Sequence, residues 1–198
     1  DNFRKVGFGV VLSHQKNGIA RGSGVLVTLA DQTENLSIIN GTASAHYSLE
    51  KGTSKQKYPN SLMGTLALIE QTYLDAEWYE QGNASEYNRS LEAWNDLQGL
   101  PQLFEVKDKL DIFRIHRIAN EYEIDYIVVG NGDEYQRVQS LSNTNFSLII
   151  PLNFPDVYDV SNPRDAHMLS LKKMKHWELA PSNPSQLFKH NIFKAFTS

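Results

Sequence analysis

The chain has 198 residues, 40% of them apolar and 21% charged, with a formal net charge of −4. This suits one soluble domain with a core of its own and excludes a disordered tail. No basic stripe favours a nucleic-acid partner, no apolar run approaches the roughly 20 residues of a helical membrane span, and the absence of cysteine excludes disulfides and thiolate metal sites.

In chain order, Asp1 to Lys5 reads as the tail of a helix and Val6 to Leu12 as a strand. Gly18, Gly22 and Gly24 punctuate what reads as a tight loop between strands, followed by a strand over Val25–Leu29. The segment lacks the Gly-Lys-Ser/Thr of a phosphate loop and the third glycine of a dinucleotide fingerprint. Strands follow at Ser37–Ile39 and Ala43–Leu49. After Pro59-Asn60-Ser61, the residues Leu62, Leu66, Ile69, Tyr73 and Ala76 form one helical stripe, and a further helix is expected over Ser85–Leu97.

From Leu103 onward the pattern alternates. Leu103–Val106 is a short apolar run, and Asp108 caps a helix that continues to about Tyr122. Asp125–Val129 reads as a buried strand ended by Gly130-Asn131-Gly132, then a helix over Asp133–Leu141, a strand over Phe146–Ile150 and a long loop. A helix near Pro184–His190 and a strand from Ile192, stopped in mid-course, close the chain. Continuous apolar strands separated by helices predict an α/β domain with a parallel sheet and outer helices. Either a barrel or an open doubly wound sheet fits. Both ends read as cuts, so residues 1–198 are expected to form a single partial domain. Residues 1–60 are its strand- and loop-rich opening segment and 61–198 its β/α units.

The polar residues give few specific signals. None of the six histidines has the spacing of a zinc helix or a His-x-His strand. His14 follows a strand, which in a parallel barrel is the functional end. His46 reads as a side chain satisfied within a sheet, and His116, flanked by arginines on a helix, as a surface residue. Arg21, in the glycine-rich segment, is a candidate anion ligand. Glu105 interrupts an apolar strand near its C-terminal end, where an acid is costly unless paired or functional. Asn131 and Asp133 lie in the loop after a strand, where capping competes with binding as their role. The candidate catalytic residues are Glu105 and Asp133, the candidate ligand-binding residues His14, Arg21 and Asn131, and no metal ligand is assigned. Five Asn-x-Ser/Thr triplets, at Asn35, Asn40, Asn83, Asn88 and Asn145, read as chance in an Asn-rich chain.

The order of segments resembles the imidazolonepropionase-like branch of the amidohydrolase superfamily. Gly18 to Leu29 is similar to its GxxxGxGxxVxL stretch. Tyr58–Gly64 followed by Leu74–Tyr79 resembles its helix with a P-x-S/T-x-M-G start and an LxDAxxY ending. Leu103–Val106 resembles the fifth barrel strand, Val129–Tyr135 the sixth with its loop, Phe146–Pro155 the seventh, and Pro184–Ser198 the approach to the eighth. The resemblance implies a partial (β/α)8 TIM barrel of the amidohydrolase type. For intact relatives it implies a metal-dependent hydrolase of C–N bonds, commonly of cyclic amides, using a metal-bound hydroxide.

The departures are as informative as the likeness. The His-x-His of the first strand has no counterpart, Glu105 stands at or beside the fifth-strand histidine, Gly130 stands where the sixth-strand histidine belongs, and the chain ends about where the eighth-strand aspartate would come. A divalent metal, zinc, is therefore expected only for an intact, active parent. The reading is part of such a hydrolase with an incomplete site. The alternative is a degenerate barrel serving as a scaffold or ligand-binding module. The expected partners are the remainder of the parent barrel or a second amidohydrolase domain, with self-association through open sheet edges. The expected location is periplasmic or secreted, and otherwise cytoplasmic.

Overall fold

Apolar runs bounded by Gly, Pro and Asn become strands here, and runs with a 3.6-residue stripe become helices. A computed structural model of the chain describes residues 2–197, apart from the side chains of Asn2, Phe193 and Lys194. Asp1 and Ser198, the outermost residues of the expected helix tail and last strand, lie outside the described residues. The chain divides into two compact units, Asp1–Glu105 with Ile118–Tyr126, and Val106–Arg117 with Ile127–Ser198.

The first unit contains, in order, α1 (Asn2–Lys5), β1 (Val10–Ser13), β2 (Ala20–Thr28), α2 (Glu34–Ser37), β3 (Ile38–Ser48), α3 (Leu62–Glu80), α4 (Arg89–Leu97) and β4 (Gln102–Glu105). β1 pairs with β2 and β2 with β3, both antiparallel, whereas β3 and β4 are parallel, with Ser48 opposite Glu105. The glycine-rich segment expected as a loop is mostly strand, because β2 already begins at Ala20. Its register against β3 shifts between Ala20 and Gly22, a bulge at Arg21 of the kind that re-aims a side chain.

The helical stripe of α3 buries Leu66, Ile69, Tyr73 and Ala76, and Ser61 caps its start by accepting the Gly64 N–H at 3.1 Å. α4 starts at Arg89, four residues later than the periodicity predicts, because Asn88 Oδ1 takes the N–H groups of Ser90 and Leu91 and fixes the first turn there. Rings from five elements form the core. Trp94 stands edge-on to Tyr47 and Tyr73 at 5.3 and 4.9 Å, and Phe104 to Tyr126 at 5.1 Å. Such pairs add roughly 0.5–1.5 kcal/mol each beyond the area they bury.

The second unit takes up most of α5 (Lys109–Glu121) and β5 (Tyr126–Val129). It then runs through a 3-10 turn over Glu134–Arg137 into α6 (Val138–Leu141) and β6 (Ser147–Pro151). α7 (Pro163–Met168), α8 (Leu171–Leu179), a 3-10 turn over Ala180–Ser182 and α9 (Asn183–Lys189) lead to β7 (Phe193–Thr197). β5 and β6 are parallel, as are β6 and β7. Ile112, Ile115, Val128, Leu141, Leu148, Ile150 and Leu187 are fully buried and form the core of this unit. The long loop expected after β6 holds two helices. Each is started by a side-chain cap, Asn162 ahead of Pro163 and Ser170 ahead of Leu171. His116, expected on the surface, is half-buried with its ring edge-on to Phe146 at 5.3 Å. Among the described residues no helix is long and apolar enough to cross a membrane.

Candidate functional site

In the first unit the directions of the strands bring four polar residues to one end. β3 and β4 finish together at Ser48 and Glu105. β2 runs the other way, so its first residues, including Arg21, lie at that same end, and β1 delivers His14 just beyond its last residue. This is the C-terminal end of the parallel strands, where barrel enzymes place their chemistry.

Glu105 accepts a charge-assisted hydrogen bond from Arg21 Nη1. The Arg21 side chain is 5% exposed and that of Glu105 36% exposed. A guanidinium at that depth is costly unless paired, so the acid that interrupts an apolar strand is the counter-charge of a buried arginine. Arg21 Nε donates to Gly18 O at 3.2 Å, which fixes the fork towards the strand end. Glu105 keeps part of its carboxylate facing solvent and is the one of the pair able to meet a ligand.

His14 and His46 stack face to face, with ring centroids 3.8 Å apart and planes 8° from parallel. His46 is buried, and its Nε2 lies 2.8 Å from the equally buried Ser44 Oγ on the same face of β3. Burial, with the electrostatic influence of His14 and Arg21 adding to it, lowers the His46 pKa from 6.5 to about 4, against the opposing pull of Glu105. His46 is therefore a neutral imidazole at neutral pH. Gly24 makes room for it, since a Cβ there would lie 2.6 Å from both His46 Nε2 and Ser44 Oγ. His14 is half-buried, with Nδ1 2.9 Å from Gln15 O. The structure thus joins His14, Arg21 and Glu105 and adds His46, which periodicity marks as a sheet residue. The usable signal was Ser44 and His46 two apart on a strand, with a glycine on the neighbouring strand to receive them.

Asn131 and Asp133 belong to the second unit. Asp133 accepts from the Lys109 backbone N–H at 3.0 Å through Oδ1 and from Lys109 Nζ at 2.9 Å through Oδ2. It ties the loop after β5 to the start of α5. Burial alone would lower the Lys109 pKa, but the hydrogen bond and charge of Asp133 outweigh it and hold the ammonium above its ordinary value. Asn131 is exposed, and its backbone N–H donates to Glu134 Oε1 at 2.6 Å. Glu134 is completely buried. It also takes the Gly132 N–H on both oxygens at 3.1 Å and Asn183 Nδ2 on Oε2 at 2.7 Å. Its carboxylate folds back onto the loop it follows and holds the tight 3-10 turn where a regular helix was expected. Asn183 returns the favour through Oδ1, which accepts the Tyr135 N–H at 2.7 Å.

These residues do not fit a catalytic metal. Glu105 is held by Arg21, His46 Nε2 faces Ser44, and a Cβ at Gly130 would lie 2.9 Å from Glu134 Cδ and overlap its Oε1. A histidine at position 130 has no room while Glu134 keeps its place. Among the described residues, no group of three His, Cys, Asp or Glu side chains could hold a metal ion.

No family model matches the chain, and no curated protein matches it. Its structure is similar to the crystal structure of an amidohydrolase from Thermotoga maritima, with a TM-score of 0.70 at 13% sequence identity. The match covers 96% of this chain and 51% of that one, so the chain spans about half the length of the protein it resembles. The fold is that of part of an amidohydrolase-type β/α barrel.

Proposed function

We propose that the protein to which this chain belongs is an amidohydrolase-type hydrolase of C–N bonds, cyclic amides by the resemblance of its segments. This chain contributes a charged, substrate-facing edge to it. The observation that carries the reading is the Arg21–Glu105 pair beside His14 and His46 at the C-terminal ends of β3 and β4. Arg21 holds the Glu105 carboxylate in one orientation, and its solvent-facing part can accept an N–H from a planar amide. His14, the more accessible of the stacked rings, offers a flat face and a ring nitrogen to the same ligand. A zinc ion, in this reading, is held by residues other than those described above.

The test is hydrolysis of a panel of five- and six-membered cyclic amides by the protein in its full natural length, with and without a chelator. Turnover that falls at least about tenfold in Glu105→Gln, with unchanged circular dichroism, supports the reading. No turnover of any cyclic amide would sink it.

A second reading, a non-catalytic scaffold barrel, is favoured by the Gly130–Glu134 packing, which occupies the space of a sixth-strand histidine. Its partner is the remainder of the barrel or a second amidohydrolase domain. In this reading, Glu105→Ala and Asp133→Ala leave the activity of the whole assembly unchanged. β1 pairs with β2 along one side, and its Val10 and Leu12 are exposed. That edge is the proposed route of self-association.

A further inference from the structure

In the second unit, neither α7 nor α8 contains a buried residue. Leu171, Met174 and Trp177 of α8 are exposed by 62, 45 and 44%, and Met168 at the end of α7 by 83%. Their spacing of three puts Leu171, Met174 and Trp177 in one row along α8, within an arc of about 120°. The rotation of the helix is fixed from its other side. His176, about 160° round the helix from Met174, is half-buried. Its ring stacks on Tyr135, with planes 10° from parallel, and its Nδ1 lies 3.1 Å from the Tyr135 hydroxyl. The apolar row therefore faces away from the residues that hold α8 in place.

Lysines border this row on both sides. Lys175 stands about 40° beyond Leu171 and Lys173 about 40° beyond Trp177, with Lys172 further round. All three are exposed, and among the described residues none of their side chains forms an ion pair or a hydrogen bond. Residues 163–179 hold four Lys and Arg against two Asp and Glu, whereas the whole chain has a net charge of −4. Positive charge is thus collected around a bare apolar row, and the single acid of α8, Glu178, is outnumbered. Lysines flanking Leu, Met and Trp are the pattern of a helix that lies in the plane of an anionic lipid surface. Their stems follow the apolar side chains down while the ammonium groups stay at the headgroups, and an indole ring suits the same level. The row is convex, and a fluid lipid layer closes around a ridge where a rigid protein partner needs a matching groove.

We propose that α8 is a peripheral docking helix for an anionic phospholipid surface. Leu171, Met174 and Trp177 enter the boundary between headgroups and acyl chains, and Lys172, Lys173 and Lys175 meet the lipid phosphates and carboxylates. The contact is reversible and needs both parts, because one short apolar row or three lysines alone bind weakly. It does not rest on the hydrolase reading.

The experiment floats the chain with vesicles of phosphatidylcholine containing roughly one-third phosphatidylserine, at about 0.1 M salt, beside vesicles of phosphatidylcholine alone. The expected result is binding to the anionic vesicles and none to the neutral ones. Lys172→Gln with Lys173→Gln and Lys175→Gln is expected to weaken binding at least about tenfold, and so is Met174→Ser with Trp177→Ser. All five side chains are exposed, and circular dichroism checks that the variants fold. Bromine-labelled acyl chains are expected to quench a part of the tryptophan emission that is missing in Trp177→Phe, a variant that still binds. No flotation with anionic vesicles, equal flotation of the lysine variant, or unchanged quenching in Trp177→Phe would overturn the proposal. Self-association that Met174→Ser with Trp177→Ser abolishes, without any flotation, would assign the row to a second copy of the chain and overturn it as well.

Discussion

Gly130 and Glu134 share a space that admits only one side chain: the buried Glu134 carboxylate lies where a Cβ on residue 130 would be. The carboxylate is held there by the N–H groups of Asn131 and Gly132 and by Asn183 Nδ2. Gly130→Ala therefore forces apart hydrogen bonds to a buried charge, each worth roughly 1.5–3 kcal/mol. The expected outcome is a loss of about 2–4 kcal/mol in urea-induced unfolding. An unfolding midpoint equal to that of the unaltered chain would show that Glu134 can step aside, and would reopen position 130 to a ligand side chain.

The Arg21–Glu105 pair is asymmetric in depth, so its two members are expected to respond unequally. Glu105→Gln leaves the 5%-exposed Arg21 side chain without its counter-charge. Because Glu105 itself is about one-third open to solvent, the cost is discounted to about 1–2 kcal/mol. Arg21→Met removes the buried charge and leaves an acid that can rehydrate, and is expected to cost less. A double-mutant cycle with coupling indistinguishable from zero would contradict the pairing.

His46 makes stability depend on pH. Its folded pKa of about 4 lies below the 6.5 of the unfolded chain, so between those values the unfolded state binds more protons. Stability from this residue is complete above pH 6.5 and is lost as the pH falls towards 4, by on the order of 3 kcal/mol at most. Urea midpoints measured across that range are expected to fall steeply for the unaltered chain and less for His46→Asn. Parallel curves would assign the pH dependence to other groups.

Tyr73 and Tyr126 exchange a buried hydroxyl hydrogen bond of 2.7 Å, and burial pushes both phenols above their ordinary pKa. Tyr126→Phe strands the Tyr73 hydroxyl and is expected to cost about 1–3 kcal/mol, whereas removing both hydroxyls should be nearly neutral. Thermal unfolding of the two single variants and the double variant checks this. A double variant as unstable as the sum of the singles would refute the pairing.

Most element types and the α/β class are legible in the residues alone, because apolar period and capping chemistry are local. The α3 stripe, the Asp108 cap and the apolar runs of β5 and β6 all stand close to where the pattern puts them. Boundaries shifted wherever a side chain reached back to the backbone, as Asn88 does at α4 and Glu134 at the turn after β5. The partnerships between distant residues come from the folded arrangement of the strands. Glu105 and Arg21 are 84 positions apart, and Glu134 and Asn183 are 49 apart. A charge in an apolar strand announces that it needs a partner, but composition and spacing carry no record of which distant residue the strand directions bring beside it. The same reason hid His46: its neutrality comes from burial beside Gly24 and from the nearness of His14 and Arg21, which meet it only when β1, β2 and β3 are paired.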